Sequence, residues 1–411
     1  MRRGLFDEAC LPLETVLLFI AGMTVFIAGI LLFPVYAGVA PYYENGLYGL
    51  LLFFFALQTV MLGKTPFGEL PVSKPLLAVG VTIASIGIVT CFIPGIPNKL
   101  ARWMLVLCLG PGGALLLLQM LFSKNKLRLW LRVKGALRPL PFACGAVYAL
   151  SMLAGLLVLK PELLTGYGTA TAVLLYGAAI LNLSRVLAVV YQEYPEASAD
   201  AGDKGGLPFD KAMLMLTGVF MVLLGGLLVP VNLGLLPFSG SAQLGLLMVI
   251  FSVQMLAAGS TPIGVFPRSW LMAYLGTLFA GLGIVSCIVP DILVAPLTLL
   301  VGVLNILSGG LTLAKALPSL LKTRKMMPSV PVPSLLLRLY STQIALGGLS
   351  VMFGSSMLAP GIIPGLLIGV ILAANGGVLL YLMRLLFQLD ALAESAEDGG
   401  SAGGDAQNEC S

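Results

Sequence analysis

The sequence predicts an all-α polytopic membrane protein of about twelve transmembrane helices, built as two parallel six-helix repeats of three hairpins each. Three observations predict it. Of 411 residues, 58% are hydrophobic and only 10% are charged, whereas a water-soluble chain of this length carries about a quarter of its residues charged. The apolar residues fall in runs long enough to cross a bilayer, and the 23 basic and 18 acidic residues cluster between them. Finally, sliding the chain by 196 residues superimposes its two halves without a gap from the first apolar run into the fourth.

A span needs about 20 apolar residues to cross roughly 30 Å of hydrocarbon. On that ruler the first set lies near 16–34, 46–63, 76–96, 102–122, 140–159 and 166–190, and the second near 212–230, 242–259, 270–290, 292–316, 335–357 and 361–387. Placing loops alternately on two sides puts 20 of the 23 Lys and Arg on the side of the N-terminus and leaves Lys99, Arg102 and Lys160 opposite. The positive-inside rule then makes both termini cytoplasmic, in a bacterial-type inner membrane. An odd number of spans would scatter the clusters Lys124–Arg138 and Lys315–Arg338 onto opposite faces.

The expected organisation is a cytoplasmic N-terminus (1–14), a first six-span repeat (15–192), a cytoplasmic linker (193–211), a second six-span repeat (212–389) and a disordered acidic cytoplasmic tail (390–411). The linker and the tail are rich in Gly, Ala and acid and poor in bulky apolar residues, a composition that buries too little to order itself. The N-terminus MRRGLFDEAC has no small-residue cleavage site and reads as retained.

In the repeat, Gly22 falls on Gly218, Gly29 on Gly225 and Pro34 on Pro230; between 49–94 and 245–290, 18 of 46 positions are identical. An even number of spans per unit makes the repeats parallel. A shorter rhythm pairs Gly29 with Pro34, Gly87 with Pro94, Gly155 with Pro161, Gly225 with Pro230 and Gly283 with Pro290. Proline at an outer helix end stops the ladder, so each half reads as three successive hairpins.

The sharpest motif is Q-x4-G-x-T-P-x-G-x-x-P. It occurs as Gln58, Gly63, Thr65, Pro66, Gly68, Pro71 and again as Gln254, Gly259, Thr261, Pro262, Gly264, Pro267. Interrupted segments at matching positions of two halves point to a binding site; the same residues also make a capped turn between helices. The faces Gly80, Ala84, Gly87 and Gly276, Ala280, Gly283 read as helix-packing surfaces. Polar groups deep in the spans are few: Asn182, Asn375, Asn305, Gln119 and Gln343. With Gln58 and Gln254, the asparagines are candidates for a solute path or for bonds between helices. Cys91 and Cys287 occupy equivalent positions and are either duplicated small residues or a pair.

Without histidine there is no imidazole base, triad or histidine-ligated metal. The six cysteines fall in no metal-ligand spacing, and no Asp or Glu sits near the middle of a span, against a proton relay. No enzyme activity, metal or cofactor is expected, and no nucleic-acid partner; the partner is the lipid bilayer, with a homo-oligomer or membrane complex left open.

Segments such as GLGIVSCIVPDILVAPLTLLVGVLNILSGGLTLAKA (281–316), and GVFMVLLGGLLVP (218–230) followed by LGLLMVIFSVQMLAAG (244–259), resemble the hairpins of the HdeD-like family of bacterial membrane proteins. That resemblance covers most of both halves. It implies a non-catalytic multi-pass protein acting in membrane stress tolerance or as a membrane subunit. This chain departs from the family's usual three hairpins by doubling them. The alternative reading of the residues is a transporter or facilitator of a neutral or weakly polar small solute, not coupled to protons through intramembrane carboxylates.

Overall fold

The computed structural model describes residues 11–71, 73–95, 98–122, 137–194, 208–261, 264–326, 334–359 and 361–405. Twelve α-helices run through them: α1 (Leu13–Tyr36), α2 (Glu44–Leu62), α3 (Lys74–Phe92), α4 (Asn98–Phe122), α5 (Leu140–Leu159), α6 (Gly166–Glu193), α7 (Phe209–Asn232), α8 (Gly240–Ala258), α9 (Trp270–Ile288), α10 (Val294–Met326), α11 (Ser334–Leu358) and α12 (Gly365–Asp405). Eleven are long and apolar enough to cross a membrane, as expected of an all-α polytopic protein.

Helix ends follow local chemistry. Gly63 and Gly259 end α2 and α8 in the left-handed conformation, at φ 63° and 68°, and each returns its N–H to the carbonyl of the motif glutamine, Gln58 or Gln254. Two-residue strands follow, β1 (Lys64–Thr65) with β2 (Gly68–Glu69) and β3 (Ser260–Thr261) with β4 (Gly264–Val265), each pair antiparallel. Inside these turns Thr65 Oγ1 donates to Gly68 O at 2.7 Å and Thr261 Oγ1 to Gly264 O at 2.8 Å. Ser73 and Ser269, again 196 residues apart, cap α3 and α9 by accepting from Leu76 N and Met272 N. The repeated motif is thus a helix stop, a tight hairpin and a helix start; Pro262 lies outside the described residues.

The helix pairing differs from the expected succession of hairpins. The closest partners in the first half are α2 with α3, α4 with α5, and α1 with α6, while the expected pairs α5 with α6 and α11 with α12 are also in contact. Glycines decide this, because in lipid, helices associate where small residues let backbones touch. A Cβ on Gly49 would lie 2.4 Å from Gly87 O, and one on Gly29 would lie 2.6 Å from the Leu174 backbone. Likewise α8 meets α9 where a Gly245 Cβ would come 2.5 Å from Gly283 O, and α7 meets α12 where a Gly225 Cβ would come 2.4 Å from Gly369 O. The small-residue faces named above lie in these contacts, Gly80 against Val60 and Gly276 against Leu256.

The chain divides into two compact units, Met1–Ala212 with Pro230–Val301, and Met213–Val229 with Gly302–Ser411. The division does not follow the expected seam at 193–211, because α8 and α9 belong to the first unit. There they join α2 and α3 through two reciprocal backbone bonds, Tyr43 N to Ile288 O and Ser239 N to Phe92 O, both 2.9 Å. In the second unit α10 meets α11 at Gly309 and Gly347, and again at Gly302 and Gly354.

Two further expectations change. Pro34 and Pro230 lie inside the last turns of α1 and α7 rather than ending them, since proline withdraws only its own N–H and crowds only the preceding turn. The last helix continues to Asp405, so the acidic segment expected to be disordered is helical that far. A helix already nucleated by the span propagates readily through the Ala, Leu and Glu that follow it.

Candidate functional site

The first six helices enclose two cavities placed end to end. The larger, about 390 Å³, lies at the end of the bundle where α1 begins, the near end, and is walled by α1, α2, α4, α5, α6 and the β1–β2 turn. Its body is apolar, with Leu18, Phe55, Leu140, Val147 and Ile180 among its walls. Leu140, Val147 and Ile180 pack with Val25, Leu109 and Tyr176 in one buried cluster.

The mouth is ionic. Lys64 Nζ binds Glu14 and lies 3.8 Å from Glu69, and Tyr191 Oη donates to Glu14 Oε2 at 2.6 Å. The Glu14 side chain is 13% exposed, against 33% for Lys64, so the carboxylate has lost much of its water and takes a cation and a phenol in exchange. The hairpin that carries Lys64 and Glu69 is braced by Gln119, whose Nε2 donates to Phe67 O at 3.1 Å.

The smaller cavity, about 160 Å³, lies toward the opposite, far end and is walled by Tyr36, Tyr42, Glu44 and Tyr48 among apolar residues. Four residues, Val25, Leu51, Leu109 and Tyr176, border both cavities. The border between the two spaces is thus three aliphatic side chains and one phenol. Its polar backing is Ser151, which donates to Leu109 O at 2.9 Å and hydrogen-bonds the Tyr176 hydroxyl.

Of the residues expected to carry a path, Gln58 lines the near cavity together with Thr65 and Pro66. Asn182 is exposed on α6 and borders a separate groove with Phe19, Phe26 and Arg185. Gln254 is half-buried on α8. Asn305 lies on α10, while Asn375 is buried on α12 with no partner for Oδ1 among the described residues.

Cys91 and Cys287 are free, buried and in contact with each other. Cys91 Sγ donates to Gly46 O at 3.5 Å and Cys287 Sγ to Ala242 O at 3.6 Å, the same bond 196 residues on.

Sequence reasoning passed over Glu14, Lys64, Glu69, Glu44 and the tyrosines because all lie at span ends, where polar residues are ordinary. A signal was present nonetheless. The repeat breaks at all of these positions but Glu14, whose counterpart is Asp210: Lys64 and Glu69 correspond to Ser260 and Val265, and Tyr36, Tyr42, Glu44 and Tyr48 to Asn232, Phe238, Gly240 and Leu244. No group of three or more metal-binding side chains occurs among the described residues. No protein-family model, curated protein or solved structure matches the chain.

Proposed function

We propose that this protein is a transporter or facilitator for a small, largely apolar solute, with the path running through the first six helices. The observation that carries the reading is the end-to-end pair of cavities sharing Val25, Leu51, Leu109 and Tyr176. Ligand sites are concave and mostly apolar with a few placed polar groups, which describes both chambers. In this reading the chain spans a bacterial inner membrane twelve times as two parallel repeats, with both termini and the Glu14–Lys64 mouth cytoplasmic. The second repeat supports the first: α8 and α9 brace α2 and α3, and the residues at the positions of Lys64, Glu69, Tyr36, Tyr42, Glu44 and Tyr48 are neither ionic nor phenolic in the second.

The test is thiol accessibility. With the six native cysteines replaced, single cysteines at Leu18, Leu51 and Leu47 are exposed in intact membranes to small impermeant thiol reagents applied to either face. Labelling of position 18 from the cytoplasmic face and of position 47 from the other, with position 51 slow from both, is the expected pattern. Protection of all three in folded protein would sink the path. The second reading would then hold: a non-catalytic HdeD-like membrane component. That reading is supported by glycine contacts of the Gly49–Gly87 and Gly245–Gly283 kind.

A further inference from the structure

The far cavity has a composition that the rest of the bundle lacks. Tyr36, Tyr42 and Tyr48 contribute three phenol rings and Glu44 one carboxylate to a space of about 160 Å³. Glu44 is half-buried at the start of α2, and Tyr48, one helical turn on, donates its hydroxyl to Glu44 Oε1. That bond orients the carboxylate without neutralising it. Among the described residues no Lys or Arg forms an ion pair with Glu44. Arg102, whose charge reaches Tyr48, commits its guanidinium to Val158 O and Leu159 O, with Nε donating at 2.9 Å and an Nη at 3.3 Å. Burial, with the charge of Glu44 beside it, pushes the Tyr42 hydroxyl above the ordinary phenol range, so its ring stays neutral.

A half-buried carboxylate ringed by aromatic rings attracts one kind of guest. The negative faces of tyrosines favour a cation, and a carboxylate without a protein counter-ion favours the same charge. The near mouth agrees in sign, since Glu14 and Glu69 outnumber Lys64 there. The apolar walls between the two ends suit an apolar body. None of these groups recurs at the corresponding positions of the second half, Asn232, Phe238, Gly240 and Leu244.

We infer that the far cavity recognises a small organic monocation, an ammonium group on an apolar body, through the Glu44 carboxylate and the rings of Tyr36, Tyr42 and Tyr48. This rests on the two-cavity path and names the class of solute that enters it.

The test is calorimetric titration of the full-length protein in nanodiscs with three probes of similar size: benzyltrimethylammonium, neutral N-benzylacetamide and benzenesulfonate. The cation is expected to bind tightest. Glu44→Gln should weaken it by about tenfold or more while leaving the amide unchanged, as loss of a charge-assisted contact predicts. Tyr42→Leu should weaken it by about fivefold, within the range of a cation–ring contact, and Tyr42→Phe, which keeps the ring, should restore it. The tyrosine pair gives the answer should Glu44→Gln fail to fold. Amide binding as tight as the cation, or cation binding indifferent to both Glu44→Gln and Tyr42→Leu, would overturn the cation assignment and leave an occupied cavity standing. No binding of any probe to monodisperse, folded protein would overturn the path as well.

Discussion

At residues 196 positions apart, α2–α3 and α8–α9 make the same bonds with different side chains around them. Tyr43 N reaches Ile288 O as Ser239 N reaches Phe92 O, and Ser73 and Ser269 cap equivalent helices. Yet the first hairpin presents Glu44, Tyr48, Lys64 and Glu69 to cavities, where the second carries Gly240, Leu244, Ser260 and Val265. Even the contact between the two helices of each hairpin is handled differently. Ser241 and Ser286 donate to each other's carbonyl oxygens at 2.8 Å. Their counterparts Asn45 and Thr90 bond instead to Ile93 O and Ile86 O. The backbone bonds recur in both copies, while Glu44, Tyr48, Lys64 and Glu69 occur only in the first.

The sharpest way to break this comparison is at Gly46, whose counterpart is Ala242. A Cβ on Gly46 would sit 1.9 Å from Cys287 O, a backbone atom with little room to move, whereas the Ala242 methyl is already accommodated and buried. Gly46→Ala should destabilise by about 3 kcal/mol, the upper end of overpacking costs, and Ala242→Gly by only about 1 kcal/mol. Thermal unfolding followed by size-exclusion chromatography reads both. Equal effects would mean that the two hairpins meet symmetrically at these positions.

Next is the ionic mouth. Lys64→Met leaves Glu14 largely buried with only Tyr191 as a partner, and should cost about 1–2 kcal/mol, the penalty of a polar group losing one partner in a partly solvated site. Ser260→Lys in the second copy should change stability by less than about 0.5 kcal/mol, as surface substitutions do. A large effect at Ser260 would place an ionic partner there as well.

A smaller difference lies in the turns after α3 and α9. Gly95 has φ 92° and its counterpart Asp291 has φ 67°, a conformation costing a side-chain-bearing residue about 1 kcal/mol. Asp291→Gly should therefore raise the melting temperature and Gly95→Asp lower it. The smallest effect expected is the coupling between Ser241 and Ser286. A double-mutant cycle with Ser241→Ala and Ser286→Ala should return about 0.6 kcal/mol, typical of hydrogen bonds between membrane helices, and the matching cycle at Asn45 and Thr90 close to none.

Much of the fold is legible in the residues because its signals are local. The apolar runs mark the helices, Gly63 and Gly259 mark where two of them stop, and the glycines at 80, 87, 276 and 283 mark faces that must be approached closely. The order of helix partners is less legible. Gly29 and Pro34 lie near the end of α1 that adjoins α2, which reads as a hairpin with α2, but Gly29 packs against Leu174 of α6 instead. The candidate site was legible only in the first copy of the motif, at Gln58, Thr65, Pro66 and Gly68. Asn182, a deep polar residue by hydropathy, is exposed on α6, because depth along a helix says nothing of which face the side chain occupies.

By itself the sequence determined residence in a membrane, the lengths and caps of the helices, the glycine faces and the 196-residue repeat. Each of these is a consequence of side-chain chemistry within a few turns of chain or of direct comparison between copies. Only the tertiary structure decided that α1 closes on α6, bringing Tyr191 to Glu14, and that Tyr36, Glu44 and Tyr48 face one space. Those arrangements depend on how helix surfaces complement one another across long separations in sequence. In lipid that choice is made by packing and interhelical hydrogen bonds rather than by hydrophobicity, and so leaves little trace in the pattern of apolar residues.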